Sequence, residues 1–245
     1  MSTQELCQLL DWDSDFFGRR IARVIPGRLT AQTAEQAIAW SRAQGVECLY
    51  LLAESDDAET VRLAENRGFR LVDIRVTLEC PMTGMPDTPA SAAVRPSELY
   101  DVPALRAIAR TSYRDSRFYY DPQFSTAMVD AFYETWIENS CLGYADQVLV
   151  ADVQGQVAGF ITCHLEETLG KIGLVGVSEF AQGQGVGRAL VEAALHWFAG
   201  QGAALVTVVT QGRNVRAQRL YQRGGFVTRS VDLWYHRWFL PEESN

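Results

Sequence analysis

The sequence predicts a mixed α/β fold, with a central sheet flanked by helices, complete in the second half of the chain and degenerate in the first. Three observations carry this. Residues 171–198 read as strand, glycine-rich loop and amphipathic helix. A helix–strand–helix unit recurs at a fixed offset. Residues 94–245 run through a β-α-(helical insert)-β-β-α-β-α-β order of apolar runs and helical periodicity.

The elements of the first module, residues 1–80, follow from local pattern. Trp12, Phe16 and Phe17 cluster before Gly18, and Ile21 to Ile25 form a candidate strand. Thr30 to Ala43 has helical spacing and is stopped by Gly45; Cys48 to Ala53 is an apolar strand. A second helix, Ala58 to Asn66, leads through Gly68-Phe69 into a strand from Leu71 to Leu78. Residues 81–93, rich in proline, threonine, serine and alanine, read as a linker.

A gapless shift of 157 residues lays part of this module on the second half. Glu35, Ala37, Trp40, Gln44, Gly45, Arg62, Leu63, Gly68 and Phe69 meet Glu192, Ala194, Trp197, Gln201, Gly202, Arg219, Leu220, Gly225 and Phe226. Any two helix–strand–helix units look somewhat alike, but a matched tryptophan and the same Gly-Phe ending point to duplication. Opposite the second copy's glycine loop stands Pro26-Gly27-Arg28-Leu29-Thr30; Ala64 stands opposite Tyr221 and Asp57 opposite Asn214. The first copy therefore lacks the ligand groups, and the active site is expected in the second.

The second module, residues 94–245, opens with a short strand, Ala93 to Arg95. A helix follows from Glu98 to Ser112, with Pro103 in its first turn where proline is tolerated. An aromatic segment leads to a helix from Ser125 to Asn139, and Val148 to Val153 pairs with Val157 to Leu165 through Gly155-Gln156. Next come the strand Ile172 to Val177, the loop and its helix. A strand (Ala204 to Val209), a helix (Asn214 to Arg223) and a last strand from Phe226 through Tyr235 complete the order.

Composition narrows the function. The formal net charge is −8, which disfavours nucleic acid or an acidic membrane surface as partner. Five scattered cysteines without CxxC spacing predict a reducing compartment and no metal site. The first residues lack a basic signal-peptide region, and no apolar run is long enough to span a bilayer. A cytoplasmic protein without membrane insertion is the expectation, and a homodimer is left open.

The loop Gln182-Gly183-Gln184-Gly185-Val186-Gly187-Arg188 then carries the chemistry. Glycines ahead of a helix start aim backbone N–H groups at an anion, where the helix also places partial positive charge. The spacing fits neither a nucleoside-triphosphate nor a dinucleotide loop. Gln-x-x-Gly-x-Gly after a strand resembles the acetyl-CoA pyrophosphate loop of the GNAT (GCN5-related) N-acetyltransferase superfamily, whose element order the second module matches. That resemblance implies a GNAT fold, a degenerate GNAT-like half before it, and acetyl-CoA as cosubstrate. It also implies that the strand before the loop splays, so that Leu174, Val175, Gly176 and Val177 bind the acetyl and pantetheine groups. Asn214, Tyr221 and Gly224 lie on the helix that completes the cofactor site, and Tyr221 is the catalytic acid for the leaving thiolate. A tyrosine, with an ordinary pKa near 10, is protonated at neutral pH and suits that role. No acidic residue lies on strand 171–177; Glu166, Glu167 or His164 could act as base through water, or stand in a solvated turn.

The chain also resembles the dTDP-fucosamine acetyltransferases, in Phe16-Phe17-Gly18, Ser116-Arg117-Phe118, Trp136-Ile137-Glu138-Asn139, and Thr210-Gln211 through Asn214 to Tyr221. The likeness implies a dTDP-linked amino sugar as acceptor, acetylated on the 4-amino group of dTDP-4-amino-4,6-dideoxy-D-galactose for enterobacterial common antigen. Arg117, Phe118, Tyr119 and Tyr120 are then acceptor-site candidates, with plain packing as the other reading. The loop SEFAQGQGVGR is longer than in that narrower group, which leaves the sugar open. Two rival functions stand beside it: acetylation of another small-molecule or protein amine, and a non-catalytic acyl-CoA-binding regulatory domain.

Overall fold

A computed structural model describes residues 6–83 and 94–239. The described residues divide into two compact units. One takes in the chain up to Arg75, Arg117–Phe124 and the chain from Val231; the other takes in Val76–Ser116 and Ser125–Ser230. Most of the expected linker, from residue 84 to 93, lies outside the described residues.

The first unit holds β1 (Cys7–Leu9), α1 (Asp11–Phe17), β2 (Ile21–Val24), α2 (Ala31–Ala43), β3 (Cys48–Glu54) and α3 (Ala58–Asn66). The start of β4 (Arg70–Pro81) and the end of β10 (Val227–Trp238) complete it. Its strand order is β1-β2-β3-β10, with β2 and β3 parallel and β10 antiparallel to β3 from Asp232 opposite Glu54 to Trp238 opposite Cys48. Alternation along β3 decides its two faces. Leu49, Leu51 and Ala53 turn toward Ala34, Ala37 and Ile38 of α2 and Ala64 of α3, all in one buried core. Each such leucine contributes about 2 kcal/mol by leaving water. On the other face Tyr50 meets Trp234 and His236, near Phe118, Phe124 and the Phe17 of α1. The sequence shows the aromatic cluster at 12–17 but not that it forms a helix, because seven residues span too few turns to reveal a period.

The second unit holds β5 (Val94–Pro96), α4 (Val102–Ser112), α5 (Thr126–Asn139), β6 (Gln147–Val153), β7 (Gln156–Glu166) and β8 (Leu169–Val177). After them come α6 (Val186–Gly200), β9 (Leu205–Gln211) and α7 (Val215–Arg223). Its strands run β5-β6-β7-β8-β9, with β4 as the next neighbour of β9. Leu190, Val191, Ala194, Leu195 and Phe198 of α6 bury against Ile161, Cys163, Ile172, Val206 and Val208 of the sheet. Helices α4 and α5 are joined by an ion-pair ladder in which Arg106, Arg110 and Arg114 meet Glu138, Glu134 and Asp130.

Two local expectations shift. The helix expected from Glu98 begins as a 3-10 turn, Leu99–Asp101, and becomes α-helical at Val102. Asp101 is held by Arg95 at 2.8 and 3.0 Å and accepts from the Glu98 N–H, which keeps the first turn tight. The β6–β7 hairpin turns at Gln154 and Gly155, with φ of +53° and +76°, one residue before the expected pair.

The sequence repeat is also a repeat of elements. Under the same shift of 157, Cys48–Glu54 falls on Leu205–Gln211, Ala58–Asn66 on Val215–Arg223, and Arg70–Pro81 on Val227–Trp238. Gly45 and Gly68 are left-handed, and so are their counterparts Gly202 and Gly225. The closing strands are exchanged: β10 pairs with β3, while β4 neighbours β9. Among the described residues, no helix is long and apolar enough to cross a membrane.

Candidate active site

Strand β8 parts from β9 before either strand ends. Their parallel ladder runs from Leu169 opposite Leu205 to Ile172 opposite Val208 and stops, although β8 continues to Val177 and β9 to Gln211. On its other edge β8 stays on β7, with Ile161, Phe160 and Gly159 opposite Val175, Gly176 and Val177. The ladder is irregular between Ile161 and Cys163, where the Leu174 N–H donates to Thr162 Oγ1 at 2.8 Å. A side chain at Gly173 would put its Cβ 2.7 Å from that same oxygen. Leu174 to Val177 thus keep one strand edge bonded and leave the β9-facing edge without a ladder.

The glycine loop follows directly. Gly183 and Gly185 have φ of +79° and +84°, and a Cβ on either would meet nothing within 4 Å. These glycines are present for backbone conformation, and the space over them is open. Gly185 precedes α6 without any side-chain cap. The N–H groups of Gly183, Gly185, Val186, Gly187 and Arg188 find no protein acceptor among the described residues. Side chains brace the loop instead: Arg216 Nη1 donates to Gln182 Oε1 at 2.7 Å, and Gln184 Nε2 donates to the Phe180 carbonyl at 2.7 Å. Arg188 pairs with Glu192 one turn on. Gly187 answers to packing, since its Cβ would lie 3.2 Å from Leu220 Cδ2 on α7.

Tyr221 projects from α7 and is 4% exposed, with its ring 5.8 Å from that of Phe226. Its hydroxyl makes no hydrogen bond to the described residues, and burial pushes its pKa well above the ordinary tyrosine value. Tyr113, at the end of α4, lies close by. Burial raises its hydroxyl too, reinforced by Tyr133 and Tyr221 and opposed by the backbone of Val175. Tyr113 stacks on Tyr133 at 4.3 Å. Tyr113 was not singled out from the sequence; it opens the aromatic segment there, but nothing in spacing separates it from its neighbours. Asn214 caps α7, its Oδ1 accepting from the Ala217 N–H at 3.0 Å. Gly224 closes the same helix, where a Cβ would sit 3.3 Å from Val191 Cγ1.

The candidate bases separate. Glu166 and Glu167 stand at the β7–β8 turn, with Glu166 paired to Lys171 at 2.6 Å. That turn is about 25 Å along β8 from Val177, at about 3.3 Å per residue. His164 lies nearer, its Nε2 beside Gly173, and burial lowers its pKa. Arg117, Phe118 and Tyr119 form a 3-10 turn that belongs to the first unit, and Tyr120 is exposed.

Comparison with known proteins fits this geometry. Residues 104–226 match the acetyltransferase (GNAT) family. The chain is 31% identical to the dTDP-fucosamine acetyltransferase of Escherichia coli O6:H1, over 93% of this chain and 96% of that protein. It is 29% identical to the spore coat polysaccharide biosynthesis protein SpsD of Bacillus subtilis, over 66% of this chain and 56% of that protein. Among solved structures, a GCN5-related N-acetyltransferase from Sphaerobacter thermophilus shares the fold, with a TM-score of 0.68 at 16% identity over 96% of this chain and 76% of that one. The open strand edge and uncapped glycine loop therefore belong to an N-acetyltransferase, and the chain is a member of the acetyltransferase (GNAT) family.

Proposed function

We propose that this enzyme moves the acetyl group of acetyl-CoA onto a nucleotide-linked amino sugar, at the 4-amino group of dTDP-4-amino-4,6-dideoxy-D-galactose. The observation that carries the acceptor is the likeness to the dTDP-fucosamine acetyltransferase, which extends through nearly the whole of both chains rather than the transferase core alone. On this reading the first half of the chain is a degenerate copy of the second, and the repeat of elements supports it.

Acetyl-CoA supplies an activated thioester, and the residues present fit it. The unpartnered N–H groups of Gly183 and of Gly185 to Arg188 suit a pyrophosphate, helped by the positive end of α6. The open edge of Leu174 to Val177 suits an extended arm that carries amide groups. Tyr221 gives its proton to the departing sulfur. Burial holds that proton firmly, and a thiolate formed in the same dry surroundings is raised by the same desolvation, so donor and acceptor stay matched. A sugar amine can lose its proton through water, and His164 is the side chain best placed to receive it.

Incubation with acetyl-CoA and the dTDP-amino sugar, followed by mass spectrometry, tests the proposal. Acetylated product should require both the 4-amino group and the nucleotide. Equal rates with a simple amine would remove the nucleotide sugar, and CoA binding without turnover on any amine would leave a binding domain.

A further inference from the structure

The face of β7 turned away from α6 carries side chains that the cofactor site does not use. Ile161 and Cys163 bury against α6, so by alternation Thr162 and His164 point to the other side. A bulge lies there: Ile161 stands opposite Val175 and Cys163 opposite Ile172, which leaves Gly173 and Leu174 facing Thr162 alone. Gly173 is exposed, and a Cβ on it would come within 2.7 Å of Thr162 Oγ1 and 2.9 Å of His164 Nε2. The imidazole edge therefore borders an opening that a larger residue at 173 would fill. Tyr144 meets the same imidazole edge to face, with ring centres 5.3 Å apart and planes at 68°. It ends a π-helical turn, Ser140–Tyr144, in which Gly143 has a φ of +109° that other residues rarely adopt. Tyr144 is 64% exposed although aromatic. The charges around His164 are engaged elsewhere: Glu166 pairs with Lys171 at 2.6 Å, and Asp146 Oδ2 accepts from the Leu165 N–H at 2.7 Å. Burial lowers the imidazole pKa, with Lys171 adding to it and Asp146, the Tyr144 backbone and Glu166 opposing, so the ring is neutral at neutral pH.

On the acetyl-transfer reading above, on which this rests, an arm held at the glycine loop runs back along the open edge from Val177 to Leu174. Its reacting end then lies where β8 and β9 part, beside Gly173. We infer that Tyr144 and His164 form the acceptor subsite, the Tyr144 ring receiving the apolar face of a pyranose and His164 taking the amine proton through one water. A pyranose carries C–H groups on one face, and an exposed aromatic ring next to the proton acceptor both desolvates that face and aims the amine. The ammonium gives one proton through water to His164, which releases it to solvent. The nitrogen then bonds to the thioester carbon as the C–S bond breaks, its electron pair going to sulfur. A second proton leaves nitrogen and replaces the one that Tyr221 gives to sulfur, so the products are an amide and a thiol. Tyr144 thereby selects a ring-shaped acceptor over an acyclic amine.

Steady-state kinetics of the full chain tests this, with dTDP-4-amino-4,6-dideoxy-D-galactose, the same amino sugar without its nucleotide, and ethanolamine as acceptors. Tyr144→Ala should raise the acceptor KM about tenfold while kcat and the acetyl-CoA KM hardly move, and Tyr144→Phe should recover most of that loss. His164→Gln should lower kcat about a hundredfold. Its acid limb should also move, from below pH 6.5 in the wild type up toward the pKa of the amine, because only amine already neutral then reacts. Tyr144 is exposed, so its two variants carry the test if His164→Gln does not fold. Wild-type kinetics on the dTDP-sugar in either variant overturns the subsite and leaves the acceptor reading intact. Tyr144-dependent acetylation of the free amino sugar, with no turnover of the dTDP-sugar, fails that reading and leaves the subsite standing. Ethanolamine turned over as fast as the sugars, or no amine acetylated, overturns the subsite too.

Discussion

Helices α2 and α6 begin at equivalent places in the repeat, yet one start is closed and the other open. Ahead of α2, the Leu29 N–H donates to Thr60 Oγ1 at 2.6 Å, and Thr30 and Thr33 satisfy each other in a capping box. Arg28 is drawn onto Glu54 and Asp56, which fills the approach with carboxylates. Ahead of α6 no side chain caps, two glycines are left-handed, and the first N–H groups of the helix find no acceptor among the described residues. The strand before it also differs: β2 ends at Val24, whereas β8 runs on past its last pair with β9. One scaffold thus has a satisfied helix start in one half and, in the other, an unsatisfied one that the proposed cofactor would fill.

The exchanged strands give the harshest test of treating the halves as separate. Residues 94–245 alone would lose β4, the neighbour of β9, and would leave β10 without β3. Unpaired central edges do not persist in water. Expressed alone, this piece should aggregate or bind ANS, while co-expression with residues 1–83 should restore a soluble complex. A monomeric fragment that melts cooperatively would show that the exchange is dispensable.

A loss of about a hundredfold to ten-thousandfold in turnover is expected for Tyr221→Phe, since its hydroxyl is the proposed acid. CoA affinity should hardly change, because the missing proton matters only once charge builds on sulfur. Tyr113→Phe is the control the structure adds: its buried hydroxyl lies against the Val175 backbone, and losing one such neutral contact should cost about 1 kcal/mol of stability with little change in turnover. Steady-state kinetics on both variants decides; if Tyr113→Phe is the slow one, the roles are reversed.

Much of this architecture is legible in the sequence because local signals agree. Helices α2 and α3 start at Thr30 and Asp57 and end before Gly45 and Gly68, and a matching set follows 157 residues later. The loop was equally plain, since its glycines have few other uses ahead of a helix. Strand exchange was not legible: Leu71 to Leu78 pairs equally well, by pattern alone, with either copy. Nor was the Tyr113 position, which depends on the end of α4 lying beside Val175 and Tyr133 rather than on any spacing.

Acid should separate the units by a few kcal/mol. Burial lowers the His236 pKa from 6.5 to about 4, with Asp121 partly offsetting it. Below pH 6.5 the unfolded chain takes up a proton that the folded chain refuses until about 4, so stability falls as pH falls through that window. Asp121, also held low, acts in the same direction. At about 1.4 kcal/mol per pH unit, roughly 3 kcal/mol is lost. Hydrogen exchange at graded pH should show β3 and β10 opening before β7 and β8, and His236→Asn should flatten the slope; uniform loosening of both units would contradict this.

The smallest effect bears most directly on what sets the proposed ligand site apart from its counterpart in the first half. Position 214 in the second copy corresponds to Asp57 in the first, and both precede a helix. Asn214 caps α7 through its Oδ1, and aspartate caps equally well, so Asn214→Asp should leave the melting temperature nearly unchanged. What it adds is one negative charge at the proposed cofactor site. If Asn214 faces the phosphates of CoA, affinity should drop by about tenfold, the scale of one unfavourable charge contact near a protein surface. The loss should shrink in high salt, because partly exposed charges are screened. Thr60 in the first copy gives its hydroxyl to Asp57 at 2.5 Å, whereas Ala217 stands in its place in the second and has none to give. An aspartate at 214 would therefore lack the partner that steadies Asp57, and its charge would be felt by the ligand in full. Unchanged CoA affinity at low salt would make Asn214 a helix cap only, and the difference between the copies would then rest on the glycine loop and on the parting of β8 from β9.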